Sequence, residues 1–84
     1  MDLKIKINPA NGGLYCFFEY NGQEYAADLC LIPYTEYTEC MVFAAKDGKV
    51  TNWGDLYCKR NIPVTKEALR ECVIEFIEKL KSKE

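Results

Sequence analysis

Histidine is absent from the 84-residue sequence and serine occurs once, at Ser82. The first absence removes the commonest general base, the histidine-activated serine or cysteine nucleophile and every imidazole metal site. No apolar run approaches the roughly 20 residues that a membrane helix needs. The opening Met1-Asp2-Leu3-Lys4-Ile5-Lys6-Ile7 alternates charge with aliphatic residues instead of forming the apolar centre of an export signal, so a cytoplasmic protein is expected. Five cysteines (Cys16, Cys30, Cys40, Cys58, Cys72) are present, but none stands in a Cys-x-x-Cys pair and the count is odd. That pattern disfavours both a zinc site and a disulfide framework, and fits reduced thiols used as small core hydrophobes. Asp47-Gly48-Lys49 lacks the spaced oxygens of a calcium loop, and Asn11-Gly12-Gly13 precedes a strand instead of a helix, so neither cradles an ion or a phosphate. Glu36 and Glu39 flank a tyrosine-rich turn and read as solvated acids. The expectation is a protein with no catalytic residue, cofactor or metal.

Between Asn8 and Ala45 there is also no lysine or arginine, although five acids (Glu19, Glu24, Asp28, Glu36, Glu39) and five of the six tyrosines fall there. The net charge is −2, which opposes nucleic-acid binding. Lys46, Lys49, Lys59 and Arg60, near Trp53 and Tyr57, form the only phosphate patch the sequence offers, and four cations on an acidic domain give a weak electrostatic footprint.

The chain length suits one domain spanning residues 1–84, an α+β fold. Leu3, Ile5 and Ile7 alternate with polar residues at the period of a strand, and Asn8 to Gly13 breaks it. Leu14–Tyr20 and Gln23–Ile32 flank Asn21-Gly22, a pair suited to a type I′ hairpin turn. A two-residue turn sets Phe18 opposite Tyr25, Cys16 opposite Ala27 and Leu14 opposite Leu29 on one apolar face. On the other face, Glu19 meets Glu24, Phe17 meets Ala26 and Tyr15 meets Asp28. A fourth strand spans Glu39–Lys46, and a fifth begins at Lys49 after Asp47-Gly48. Its partner faces are ambiguous: Met41, Phe43 and Ala45 point inward with Val50 while Val42 and Trp53 stay outside, or the reverse. Thr65 caps a helix running to about Lys81, with Ala68, Leu69, Cys72, Val73, Phe76, Ile77 and Leu80 on one stripe. Its acids, Glu67, Glu71, Glu75 and Glu78, are followed by Lys79, Lys81 and Lys83, an order that complements the helix dipole. The architecture expected is an antiparallel sheet of four or five strands, mostly a meander, with the helix across one face.

The uncovered face then holds Tyr15 and Phe17, with either Met41 and Phe43 or Val42 and Trp53, rimmed by Glu19, Glu24 and Asp28. An aromatic centre in an acidic rim suits a protein partner with a basic surface. Tyr15, Phe17, Glu19, Glu24, Asp28 and Trp53 are the expected partner-binding residues. Self-association through the same face, as a homodimer or larger structural module, is the alternative, and weak nucleic-acid binding is a third.

One further pattern bears on partner class. Thr38-Glu39-Cys40-Met41-Val42-Phe43, then Asp47 to Leu56, Arg60, and Thr65-Lys66-Glu67-Ala68 opening the helix resembles a hairpin-to-helix pattern of small bacteriophage and prophage proteins. The resemblance spans residues 38–72 and carries no catalytic residue with it. It implies a protein acting in a host cytoplasm that binds and disables or redirects a host factor. Inhibitors of nucleic-acid-handling defence proteins, such as anti-CRISPR proteins, are one class of that kind.

Overall fold

Two pairs of residues set the topology. Asn21 and Gly22 have φ of 55° and 81°, and Asp47 and Gly48 have 55° and 75°. Positive φ at both central positions is the type I′ signature, whose twist matches that of the flanking strands. The computed structural model describes residues 3–83. In chain order these form β1 (Lys6–Ile7), β2 (Leu14–Tyr20), β3 (Gln23–Leu31), β4 (Thr38–Lys46), β5 (Lys49–Arg60) and α1 (Lys66–Lys81). The strands make one antiparallel sheet in the order β1-β2-β3-β4-β5, each beside its sequence neighbour. The expected fold is the observed one, and the β2–β3 register matches the expected pairs, including Tyr15 with Asp28 and Glu19 with Glu24.

The turn from β1 to β2 closes with the Asn8 N–H donating to Gly13 O at 2.8 Å. Gly13 lies so close to β3 that a Cβ there would meet Leu29 O at 2.6 Å, so only glycine permits the approach. Between β3 and β4 the chain turns through Ile32-Pro33-Tyr34-Thr35, closed by the Thr35 N–H on Ile32 O at 3.2 Å. Proline fixes a negative φ at the second position, and Tyr34 follows with φ of 64°. That combination is a type II turn with tyrosine where glycine or asparagine is favoured.

Helix α1 starts as its sequence dictates. Thr65 Oγ1 accepts the Ala68 N–H at 3.1 Å, Glu67 occupies the first turn, and Lys79 and Lys81 the last. Its stripe of Leu69, Cys72, Val73, Phe76 and Ile77 is buried against Leu14, Cys16 and Phe18 of β2, Tyr25, Ala27 and Leu29 of β3, and Cys40 and Val42 of β4. Burying a large aliphatic such as Leu29 or Leu69 contributes about 1.5–3 kcal/mol, and together these residues are the core. Phe18, Tyr25 and Phe76 add ring contacts at centroid separations of 5.0–6.1 Å.

Two expectations need correction. The first strand is shorter than the alternation implied: β1 pairs only Lys6 and Ile7, and Ile7 is 69% exposed at the sheet edge. Leu3 and Ile5 instead pack on the core from outside the sheet. Neither grouping of the fourth strand holds whole. Val42 faces the helix, and Met41, Phe43, Ala45 and Val50 share the opposite face, but Trp53 joins them there, its ring 5.2 Å from that of Phe43. The cause is a shift in register. Val42 pairs with Tyr57 and Ala44 with Asn52, so residues 53–56 of β5 stand opposite Phe43 alone. The extra residues form a bulge, which re-aims side chains that strict alternation would have placed.

Candidate protein-docking face

The helix covers one side of the sheet; the other side carries no second layer among the described residues. Its centre is a trough, and the cross-strand rows explain why. Phe17, Ala26 and Phe43 lie side by side across β2, β3 and β4. The alanine between two aromatics leaves a low floor with a wall on either side. Tyr15 extends one wall, set edge-on to Phe17 at 6.3 Å, and Trp53 extends the other over Phe43. The resulting cleft has a volume of about 240 Å³ and is closed at one end by Pro9 and Asn8 of the β1–β2 turn. Phe43 is only 4% exposed, whereas Trp53 is 73% and Phe17 37% exposed. The floor and inner wall are thus shielded by rings that themselves stand in solvent.

Asp28 occupies the next outward position along β3 from Ala26 and lines the same trough, between Tyr15 and Met41. Its Oδ1 atom is sealed from solvent and has no hydrogen-bond partner among the described residues. Burial pushes its carboxyl above the ordinary aspartate value. Such an oxygen costs about 1–3 kcal/mol when left unpaired, and no other described side-chain nitrogen or oxygen is in this state.

Compared against protein families, curated proteins and solved structures, the chain matches none. The site is therefore read from its own geometry.

Of the six residues expected to bind a partner, the fold brings Tyr15, Phe17, Asp28 and Trp53 to one cleft. Glu19 and Glu24 lie elsewhere, at the hairpin end of the sheet beside Lys46 and Thr51. Glu24 has a structural task that pairing rules on β2–β3 alone did not reveal. Its Oε2 accepts the Asp47 N–H at 3.0 Å and its Oε1 the Gly48 N–H at 2.9 Å, clamping the β4–β5 turn. Ala26 as floor and Pro9 and Asn8 as end wall were not picked out from sequence; a small residue flanked by aromatics in the predicted register was the available signal for Ala26.

Several polar groups of β4, β5 and α1 engage one another. Glu75 of α1 receives Lys59 Nζ at 2.8 Å and the Tyr57 hydroxyl at 3.0 Å, tying the helix to β5. Lys59 holds the Glu75 carboxyl below the usual range, and the Tyr57 hydroxyl is raised by burial and by Glu75. On the docking side, Glu39 accepts from the Cys58 thiol at 2.8 Å and faces Arg60 Nε at 3.8 Å. Burial and then Glu39 push the Cys58 thiol up to about 11. Two of the four cations in the sequence-predicted phosphate patch are thereby engaged by carboxylates. A hollow of about 420 Å³ beside the β3–β4 loop contains the Glu39–Arg60 pair, whose charges already answer each other. Cys16, Cys40 and Cys72 meet in the core, where burial raises Cys16 to about 11 and a hydrogen bond with Cys72, then burial, raise Cys40. The cysteines in this structure are free thiols. No group of three or more Cys, Asp or Glu among the described residues is placed to hold a metal ion, and no described helix is long and apolar enough to cross a membrane.

Proposed function

We propose that the protein is a non-enzymatic protein-binding module whose docking surface is the helix-free face of the sheet. One observation carries this reading: the trough between Tyr15–Phe17 and Phe43–Trp53 exposes a tryptophan and a phenylalanine around a recessed apolar floor. Interfaces concentrate their affinity in such aromatic anchors, and tryptophan is among the residues most enriched there. The acids of residues 9–45 favour a partner with a basic surface. The narrower form of the proposal, an inhibitor of a host nucleic-acid-handling defence protein of anti-CRISPR type, draws on the resemblance of residues 38–72 to phage proteins and on this charge, since carboxylates can occupy a groove built for phosphates.

The test is affinity capture from lysate of the source cells with tagged wild type and with Phe17→Ser and Trp53→Ala side by side, followed by titration of the purified captured protein. A partner that binds the wild type and loses about tenfold or more in affinity with either variant supports the docking face. A captured protein that binds all three equally removes it. Light scattering of the free protein at rising concentration addresses self-association: a dimer abolished by Trp53→Ala would assign the face to a second copy of this chain.

A further inference from the structure

Resting on the docking-face reading, we infer that the trough receives an arginine side chain from a basic segment of the partner, its guanidinium against Asp28 and its stem along Ala26. The dimensions fit one side chain. At about 240 Å³ the cleft falls below the roughly 300–1,000 Å³ of small-molecule sites, and its floor is a single alanine between two aromatic walls.

Asp28 supplies the reason for a cation. The carboxylate has no counter-ion among the described residues: its sealed Oδ1 lacks a hydrogen-bond partner, and the ion pairs found there join Lys59 to Glu75 and Arg60 to Glu39. Lys6 shares the face but stands opposite Tyr15, which in turn stands opposite Asp28; two strand spacings separate them, roughly 10 Å. Arg60 faces Glu39. The pKa direction agrees, since an anion held without a counter-charge in a desolvated place is pushed up. Arginine suits the walls better than lysine. A planar, weakly hydrated guanidinium stacks on aromatic rings while donating to a carboxylate, whereas an ammonium would forfeit tightly held water on entering the trough.

The experiment selects short random peptides, displayed on ribosomes, against folded wild type, Asp28→Asn, and Trp53→Ala with Phe17→Ser. Asparagine keeps the shape of aspartate and removes an unpaired charge, so this variant is expected to fold, and thermal melting verifies it. Trp53 is the only tryptophan and lines the cleft, so its fluorescence reports affinity of each selected peptide in solution. The inference expects enrichment of arginine-containing peptides on the wild type. Asp28→Asn should weaken the best of them about tenfold or more, and replacing its arginine with neutral citrulline should weaken it equally, with no further loss when both changes are combined. Peptides that need Trp53 and Phe17 but show no arginine preference, or bind Asp28→Asn as well as wild type, overturn the arginine assignment and leave the docking face standing. Peptides indifferent to all three variants, or none selected, remove both.

Discussion

Tyr34 carries a conformation that its side chain opposes. At φ of 64° in a type II turn, an L-residue costs about 1–2 kcal/mol relative to glycine, while glycine gives back part of that through its freer unfolded chain. Its ring is fully exposed, so no packing offsets the cost. Tyr34→Gly should therefore stabilise the protein by about 0.5–1 kcal/mol, raising the midpoint of a thermal melt by a few degrees; a lowered midpoint would show that the ring makes a contribution the turn geometry hides. Asp28 gives a second residue-scale prediction, with a defined sign. A carboxyl whose folded pKa lies above its unfolded value weakens the fold at neutral pH, and the deficit fades as pH falls through the folded value towards the unfolded one. Asp28→Asn should therefore be more stable than wild type near pH 7, by about 1 kcal/mol given partial burial, and the two should converge below about pH 4. Denaturant titration at both pH values measures the gap.

Among the elements, the β4–β5 hairpin depends on a side chain from outside itself. Glu24 of β3 holds both turn N–H groups, so Glu24→Ala should cost about 1 kcal/mol and accelerate hydrogen exchange at Asp47 and Gly48, while Glu19→Ala, opposite it on β2, should change neither. Unchanged exchange at the turn would show that its positive-φ residues suffice. This contrast also marks how far the sequence could be read. The Asn21-Gly22 register, the Thr65 cap and the helix stripe were legible because each depends on neighbours within a few residues or on strict two-residue alternation. The Glu24 clamp joins residues 23 apart in sequence through side-chain geometry, which no local rule contains. The bulge at residues 53–56 was illegible for a related reason: alternation predicts faces only while the register holds, and nothing in Asn52-Trp53-Gly54-Asp55-Leu56 states where β5 resumes pairing with β4. Hence four of the six expected binding residues converge on the trough while the side of Trp53 was open.

At the scale of the whole molecule, the core thiols offer a measure of how the fold opens. Cys16 on β2, Cys40 on β4 and Cys72 on α1 are each at most 1% exposed, so alkylation must wait for separation of helix and sheet. Mass-resolved alkylation in native buffer should modify partly exposed Cys58 first, slowly because its thiol is raised, and then Cys16, Cys40 and Cys72 together at a rate that climbs in parallel with denaturant. Earlier labelling of Cys72 than of Cys16 would mean that the helix detaches on its own while the sheet persists. The meander has a consequence in time as well. Every strand pairs with the one beside it in sequence, so each hairpin closes a short loop, which chains accomplish in microseconds. Only α1 must return across most of the chain to meet β2, a closure whose entropy is repaid when Val73 and Phe76 seat. Folding speed is therefore governed by the arrival of α1, and on a ribosome the sheet, made before it, waits with one apolar face open until the helix emerges.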